Sequence, residues 1–439
     1  EVQMRAIVAE NREIGHRVVP KAEAVRLFKD ARQIPKANLL NSLSEEEVVL
    51  CTCGEQYDDL YGVMLDRTGE LDCFDLTRAE TGILLRTPRN GAGLALHKPV
   101  AQPKFAQTLK ESKAWAKILH CEYLPDLNRC IQFGRTGELI RISEALHEKK
   151  IAEIADRIAA GIKKARLVMI AGPSSSGKTS FAQRLKVQLR VNGLEPVSIS
   201  MDDYFVNRVE TPLTPEGAYD YECLEALNVE LFNEHLVALM QGKEMALPRY
   251  DFITGERQDG AGPRFSIAPN QPIIVEGIHG LNEKLTHAVP RDEKFKIYVS
   301  ALTQLNMDMH NRIPTTDARF VRRLVRDYQF RASSALKTLR QWPDVRKGEE
   351  KNIFPFQEDA DAVFNSALIY ELAALRKYAV PLLAAVKSNE YGYAMAQGIL
   401  RVLLPFGNIE DESDIPNNSI LREFIGKSCF FTSTGDLKE

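Results

Sequence analysis

The chain has 439 residues, more than one domain of ordinary size, so we expect two or three domains. Hydrophobic residues make up 44% and charged residues 27% of the chain, which excludes a disordered or a collagen-like protein. Lysine and arginine total 57 against 60 acidic residues, a net charge of −3, so a nucleic-acid partner is disfavoured and any anion site must be local.

The cysteines and the apolar segments indicate where the protein works. The seven cysteines are odd in number and scattered, which favours reduced thiols and a cytoplasmic location. The longest apolar runs, such as 167–171, are too short to cross a bilayer, so we expect no membrane partner. No signal peptide is recognised, and the first residue, Glu1, leaves open whether a segment precedes it.

Residues 1–142 have mixed patterns that predict a small α+β region. A helical pattern covers 22–28, a strand-like run covers 48–50, and 66–69 is typical of a turn. A helical spacing of apolar residues follows, and it predicts a linker helix within 143–165.

Residues 166–400 alternate between apolar runs and helical patterns. The runs 166–171, 196–200 and 272–275 are typical of buried parallel strands. This order predicts an α/β domain with a parallel sheet, preceded by the smaller α+β domain. Residues 401–439 form an irregular C-terminal tail.

A phosphate-binding loop stands directly after the first apolar run. Residues 172–179 match the pattern G-x-x-x-x-G-K-[ST] in full, and a helical pattern follows them. Glycines let the backbone wrap a phosphate, and the amides at the helix start point at the anion. The pattern predicts that ATP is bound by Gly172, Ser174, Ser175, Ser176, Gly177, Lys178, Thr179 and Ser180. Lys178 is expected to reach the β- and γ-phosphates, and Thr179 to bind Mg²⁺.

Acidic residues follow the second and third apolar runs. Asp202 and Asp203 come after the run 196–200. Glu276 comes directly after the run 272–275 and before Gly277. In an open parallel sheet, ligands bind beyond the carboxyl ends of the strands. We therefore expect Asp202 to act as a base and as a Mg²⁺ ligand, and Glu276 to be a second ligand, directly or through water. His279 is more often a packing or capping residue than a catalyst at such a position.

Arginines recur at helical spacing near residue 320. Their positions place Arg319, Arg322, Arg323 and Arg326 on one helical face, and Arg331 follows one turn later. Nearby in the sequence only Asp317 and Asp327 oppose them, and like charges one turn apart repel. A solvated face is the plain interpretation. The sharper one is a mobile lid that clamps polyphosphate through Arg326 and Arg331, with Lys178 as the third cationic group of the catalytic set.

These motifs together resemble the uridine kinase group of P-loop kinases over residues 166–400. The likeness is carried by the phosphate loop, by 200–205, by 248–252, by 276–278 and by the arginine segment 322–327. The resemblance implies that Asp202 is the general base. It also implies that Thr179, Asp202 and Glu276 surround Mg²⁺, and that Arg326 and Arg331 hold the triphosphate.

The acceptor side departs from the family at three places. The family's pyrimidine-reading histidine falls on Gly255, its ribose-binding aspartate on Glu222, and a late lid arginine on Ser333. Acceptor contacts implied by the resemblance are Tyr204, Glu222, Tyr250, Phe252 and Arg323, with Tyr250 beside a nucleobase.

The N-terminal region resembles the additional, editing-type domain of threonyl-tRNA synthetases. The likeness is carried by 22–30, 59–62 and 82–86. The zinc-type ligands of that domain fall on Tyr61 and Leu65 here, so we expect neither zinc nor editing.

The sequence favours a kinase that moves the γ-phosphate of ATP, with Mg²⁺, to a primary hydroxyl of a nucleoside such as uridine or cytidine. One alternative is a kinase for a non-nucleoside small polyol on the same scaffold, which the changes at Gly255, Glu222 and Ser333 keep open. Another is an ATP-sensing, RNA-binding regulatory protein, which the synthetase-like region suggests. A homo-oligomer is also left open.

Overall fold

The computed structural model describes residues 1–60, 62, 64–71, 73–79, 82–88, 96, 100–214 and 217–431. Tyr61, on which a zinc-type ligand of the similar synthetase domain falls, lies outside the described residues. So do the last eight residues of the predicted tail. Within the described ranges, no helix has the length and apolar character needed to cross a membrane.

The N-terminal region combines short helices with two antiparallel sheets. Its helices are α1 (Val2–Ala9), α2 (Lys21–Asp30), α3 (Ile34–Ser42), α4 (Pro103–Ile118) and α5 (Leu124–Gln132). Its strands are β1 (Ile14–Pro20), β2 (Glu47–Cys53), β3 (Gln56–Asp58), β4 (Asp75–Ala79) and β5 (Gly82–Arg86). Strands β1, β2 and β3 form one sheet and β4 pairs with β5, as an α+β region requires. Helices α2 and α3 cover the three-stranded sheet through Val25, Phe28 and Leu40.

A five-stranded parallel sheet organises the rest of the chain. Its strands, in spatial order, are β14 (Ala362–Asn365), β13 (Lys294–Ser300), β6 (Leu167–Ala171), β12 (Ile273–Glu276) and β7 (Val197–Ser200). Four short strands pair outside it: β8 (Met245–Ala246), β9 (Arg249–Asp251), β10 (Glu256–Gln258) and β11 (Arg264–Phe265). The side chains of β6 are fully buried, because helices cover both faces of the sheet. The expected α/β fold is confirmed.

The helices of this part divide between the two faces. They are α6 (Thr136–Gly161), α7 (Lys178–Val191), α8 (Val229–Met240), α9 (Thr315–Phe330), α10 (Ala335–Asn352), α11 (Glu371–Ala384), α12 (Tyr393–Leu403) and α13 (Arg422–Ile425). Helices α6, α7, α9 and α11 share one apolar core with the sheet, and α8 packs on the opposite face.

Two boundaries differ from the sequence prediction. Helix α6 begins at Thr136 rather than 143, and its residues Ile151, Ile154 and Ile158 belong to the core of the parallel sheet. The predicted linker helix therefore also packs against that core. The tail also packs: Ile420 and Phe424 are fully buried in the same core, so the unit does not end at residue 400.

A polar contact joins the N-terminal region to the loop before α9. Lys36 is fully buried and pairs with Asp58, and its Nζ lies 3.7 Å from the Asp308 carboxylate. His310 Nδ1 lies 2.5 Å from the second oxygen of Asp58, and Asn311 donates to the carbonyl of Asp59 at 2.8 Å. These contacts place the N-terminal region next to the N-terminal end of α9.

Candidate active site

A cavity of about 330 Å³ opens at the carboxyl ends of β6, β7 and β12. Among the described residues its lining includes Ser174, Ser175, Gly177, Lys178, Thr179, Asp202, Phe205, Tyr221, Glu222, Glu276, His279, Arg323, Arg326, Arg331 and Glu423. The sequence motifs of three separate strands therefore meet in one place, as the sheet topology predicts.

The phosphate loop has the backbone that an anion cradle needs. Gly172 lies so close to β13 that a Cβ there would stand 2.0 Å from the carbonyl oxygen of Val299. Gly177 has a φ of +80°, a left-handed conformation that favours glycine, and α7 begins at the next residue. The first amides of α7 therefore face the loop, and a phosphate is the natural ligand of such a helix end. The residues of the loop fit the phosphates of a nucleoside triphosphate.

Lys178 and Thr179 lie at the start of α7, between the loop and the acidic strand ends. Lys178 Nζ donates to the Pro173 carbonyl at 3.4 Å, a long contact that a phosphate oxygen could replace. The Thr179 hydroxyl donates to the Glu276 carboxylate at 3.2 Å.

The two strand-end carboxylates are brought together by the register of the sheet. Glu276 pairs with Ser200 of β7, and Asp202 comes two residues further on, in the 3₁₀ turn Met201–Tyr204. Gly277 permits this approach, because a Cβ there would stand 2.6 Å from the sulfur of Met201.

Asp202, Glu276 and the Thr179 hydroxyl together can hold Mg²⁺. The described residues contain no group of three or more His, Cys, Asp or Glu side chains arranged for a metal. Mg²⁺ does not need one, since it is commonly held by one or two carboxylates, substrate phosphates and water. The donor set of this cavity fits that ion.

Asp202 and Asp203 have different surroundings. Asp202 lines the cavity, whereas Asp203 accepts a hydrogen bond from the backbone amide of Tyr250 at 3.3 Å. Burial raises the pKa of the Asp203 carboxyl. Of the two, Asp202 is the carboxylate that an acceptor in the cavity can reach.

The arginine face does not act as one unit. Arg319 makes two hydrogen bonds to Glu349, at 2.5 and 2.8 Å, and donates to the Ser174 carbonyl. Arg322 is fully buried and pairs with Glu371 at 2.5 Å. The expectation that only Asp317 and Asp327 oppose these arginines is wrong, because their carboxylate partners come from α10 and α11, distant in sequence.

The other three arginines line the cavity. Arg323 donates to the Ser174 hydroxyl at 2.9 Å, and burial lowers the pKa of its guanidinium. Asp327 is shared by all three, at 3.2 Å from Arg323, 2.8 Å from Arg326 and 3.9 Å from Arg331. Arg326 is itself largely buried, so α9 presents a packed cationic wall next to the phosphate loop.

Three residues expected to contact the acceptor do not line the cavity. Tyr204 is 1% exposed and its hydroxyl bonds to Nδ1 of His235 at 3.0 Å, so it belongs to the core. Tyr250 is buried against Phe205, and Phe252 packs on Tyr250 while remaining exposed. Their aromatic neighbour Phe205 faces the cavity instead.

Glu222 lies in the cavity wall as expected, and burial raises the pKa of its carboxyl. The position expected for a base-reading side chain is closed: Gly255 has a φ of +76°, and the Arg208 guanidinium carbon would stand 2.7 Å from a Cβ there. Tyr221 also lines this end, and no motif in the sequence marks it.

The C-terminal tail supplies a residue that sequence reasoning missed. The Glu423 carboxylate accepts from the Ser180 hydroxyl at 2.6 Å and from its amide at 3.4 Å. Ile420 of the same segment packs on Gly177. No residue pattern signals this contact, because 243 residues separate the two partners.

Comparison with known proteins agrees with the geometry. Residues 167–372 match the model of the "Phosphoribulokinase / Uridine kinase family". A uridine kinase of Chloroflexus aurantiacus is 30% identical over 199 residues, covering 45% of this chain and 85% of that protein. The chain belongs to this family. A uridine kinase of Borrelia turicatae is 29% identical over 223 residues, covering 48% of this chain and 93% of the relative.

A solved structure also aligns with about half of the chain. D-glycerate 3-kinase from Cryptococcus neoformans shares 14% identity, covers 49% of this chain and 89% of its own, and has a TM-score of 0.32.

Membership of the family establishes the class of reaction. The chain is an ATP-dependent phosphotransferase whose acceptor is an alcohol group of a small molecule. The phosphate loop, the strand-end carboxylates and the arginines at the cavity are groups of the kinds that such a reaction uses.

Proposed function

We propose that the protein transfers the γ-phosphate of ATP to a primary hydroxyl of a nucleoside or a similar small polyol, with Asp202 as the general base. One observation carries the proposal: the phosphate loop, Asp202 and the Thr179–Glu276 pair line one cavity at the carboxyl edge of the sheet. A carboxylate there can accept the hydroxyl proton while that oxygen attacks the γ-phosphorus and the bond to ADP breaks.

Residues in and around the cavity have three separate roles in this reaction. Lys178, Arg326 and Arg331 neutralise charge that develops on the transferring phosphoryl group. Thr179, Asp202 and Glu276 are the residues that would hold Mg²⁺, which supplies charge neutralisation at the phosphates. Arg319 and Arg322 fix the carbonyls of Ser174 and Ser175, so they support the shape of the phosphate loop.

The filled space at Gly255 favours a polyol without a nucleobase as the second candidate acceptor. Arg208 packs against Gly255 and occupies the space that a base-reading side chain at this position would need. The cavity is still flanked by Phe205 and Tyr221, whose rings can pack on a flat base or on the apolar face of a sugar.

A panel of acceptors tests the proposal. ADP release is measured with uridine, cytidine, D-ribose, glycerol and myo-inositol, each with and without Mg²⁺. We expect at least one compound to be phosphorylated only when Mg²⁺ is present. Absence of acceptor-dependent ADP release, together with salt-sensitive retention of tRNA on a filter, would instead favour the ATP-sensing, RNA-binding alternative.

We also propose a cytoplasmic location. The thiols of Cys51, Cys53, Cys121, Cys130, Cys223 and Cys429 are not in disulfides, which is compatible with a reducing compartment.

We propose that the N-terminal region is a non-catalytic appendage. Its described contacts to the kinase part include Lys36 with Asp308, Asp58 with His310, Lys104 with Glu358 and Asn128 with Pro405, and none of these residues lines the cavity.

A further inference from the structure

The C-terminal segment 417–431 packs on the phosphate loop and on the start of α7. Ile420 lies so close to Gly177 that a Cβ there would stand 2.5 Å from the Cγ2 atom of Ile420. Three residues further on, the Glu423 carboxylate accepts from the Ser180 hydroxyl at 2.6 Å. The segment is therefore held against the residues that are expected to bind the phosphates of ATP.

The same segment continues along α9. The Phe424 ring is fully buried, and the guanidinium carbon of Arg322 lies 5.1 Å from its centroid. Gly426 lies against Phe330, the last residue of α9, because a Cβ at Gly426 would stand 3.2 Å from the ring of Phe330. These contacts place the segment at the phosphate end of the cavity.

Phe431 carries an aromatic ring from this segment into the cavity. Among the described residues of the segment, Glu423 and Phe431 belong to the cavity lining, and Phe431 is half-buried. The backbone amide of Cys429 donates to the Asn417 carbonyl at 2.9 Å, which closes the segment on itself two residues before Phe431. The position of the ring is thus set by a packed part of the chain.

The other aromatic rings of the lining belong to the acceptor end. Phe205 follows Asp202 by three residues, and Tyr221 directly precedes Glu222. The ring centroids of Phe205 and Tyr221 lie 6.1 Å apart, so the two rings form one cluster. Phe431 belongs to the phosphate end instead, and the cavity therefore has aromatic side chains at both ends.

The covalent order of ATP places its nucleobase away from the acceptor. In the proposed reaction the γ-phosphate meets the acceptor hydroxyl at Asp202, and the other two phosphates, the ribose and the base follow in turn. A nucleobase is flat and packs favourably on an aromatic ring. Phe431 offers such a ring at the end of the cavity where the base of ATP has to lie.

We propose that Phe431 is a donor-binding residue that packs on the nucleobase of ATP, so that the C-terminal segment supplies this part of the donor site. The segment lies outside residues 167–372, which match the family model. The inference rests on the proposed function, because it assigns the nucleoside half of ATP to a place in the same cavity.

Calorimetry without an acceptor tests the role of the ring. ATP is compared at fixed Mg²⁺ with inorganic tripolyphosphate, which has three phosphates but no nucleoside. We expect Phe431→Ala to weaken ATP binding by roughly 5- to 100-fold, the scale of losing one base–aromatic stack, and to leave the affinity for tripolyphosphate unchanged. Phe431→Tyr keeps the ring and should bind ATP within about twofold of wild type.

Phe430→Ala is the matched control, because Phe430 is also half-buried but does not line the cavity. It should leave both affinities unchanged. If Phe431→Ala does not fold, Phe431→Leu, which keeps apolar bulk without a ring, decides by the same criteria.

Four results would overturn the inference. ATP affinity could stay unchanged in Phe431→Ala, or Phe430→Ala could weaken ATP binding as much. An equal loss of ATP and tripolyphosphate affinity would mean that Phe431 only supports the phosphate loop, and tighter ATP binding would mean that it blocks the cavity. None of these results touches the kinase reaction, which the acceptor panel measures separately. A wild-type protein that binds no ATP overturns both the inference and the proposed function.

Discussion

The two ends of the cavity differ in how they are built. The phosphate end comes from a continuous stretch, 172–180, and from one helix, α9, with cationic side chains in both. The acceptor end is assembled from separated loops that contribute Phe205, Glu222 and His279, and it carries an acidic residue and a neutral imidazole. We therefore expect binding of the ATP phosphates to depend on local backbone geometry, and selection of the acceptor to depend on side chains that only the fold brings together.

The largest expected loss at the phosphate end comes from Lys178→Ala. The side chain is partly exposed and donates to a backbone carbonyl of its own loop, so its removal should spare the fold. Phosphoryl transfer should fall by roughly 10³-fold, the scale of losing one preorganised electrostatic donor. Steady-state ADP release and thermal unfolding measure the two effects. Near-normal turnover would remove Lys178 from the phosphate end.

The arginines of α9 give the next contrast. Arg326→Ala should reduce kcat/KM for ATP by roughly 10²-fold, because its side chain lines the cavity. Arg322→Ala should instead destabilise the fold by about 3–5 kcal/mol, since it leaves Glu371 buried without its partner. Urea unfolding and ATP kinetics of both variants separate the roles. Equal stability losses in the two variants would mean that all of α9 is structural.

A smaller effect is expected where the tail meets the phosphate loop. Glu423 places a carboxylate on the Ser180 amide and hydroxyl, at the end of the helix that should bind phosphate. Glu423→Gln keeps an acceptor there and removes the charge, so ADP should bind roughly two- to fivefold more tightly. Titration calorimetry with ADP measures this. Weaker binding in the variant would indicate that Glu423 is a ligand of the nucleotide instead.

The smallest expected effect concerns the pH dependence of stability that Glu222 causes at the acceptor end. Burial raises the pKa of Glu222, so the folded state disfavours its charged form. Stability that depends on the protonated form is present at low pH and is lost as pH rises through the folded pKa. Glu222→Gln should therefore be more stable than wild type at pH 7, with the difference vanishing below the ordinary pKa of 4.5. Urea midpoints across pH 4–8 measure it, and a less stable variant at pH 7 would contradict the assignment.

The sequence predicted the parts of the site that depend on contiguous residues. The phosphate loop, Asp202 and Glu276 follow apolar strands directly, and parallel strands bring their ends to one edge. It could not predict that Glu349 and Glu371 neutralise Arg319 and Arg322, because the partners come from later helices.

The acceptor end was less predictable for the same reason. The resemblance placed Tyr204 and Tyr250 at the substrate. In the structure Tyr204 belongs to the apolar core and Tyr250 is buried against Phe205, while Phe205 and Tyr221 line the cavity. Residue spacing cannot tell which of several adjacent aromatics faces a cavity. The contact between Glu423 and Ser180 joins the two ends of the kinase part, and only the packed tail reveals it.

In the proposed reaction Asp202 is a positioned carboxylate that takes the acceptor proton, and the pair Asp202→Asn and Asp203→Asn separates its position from its charge. Both changes remove one negative charge from the same dipeptide, but only Asp202 lines the cavity. The measurement is the single-turnover rate of phosphate transfer from ATP to the best acceptor, with ATP binding measured separately. We predict a loss of roughly 10²–10⁴-fold or more for Asp202→Asn, a much smaller loss for Asp203→Asn, and ATP affinity that changes far less than the rate. Equal losses, or a larger loss at Asp203, would contradict this role of Asp202.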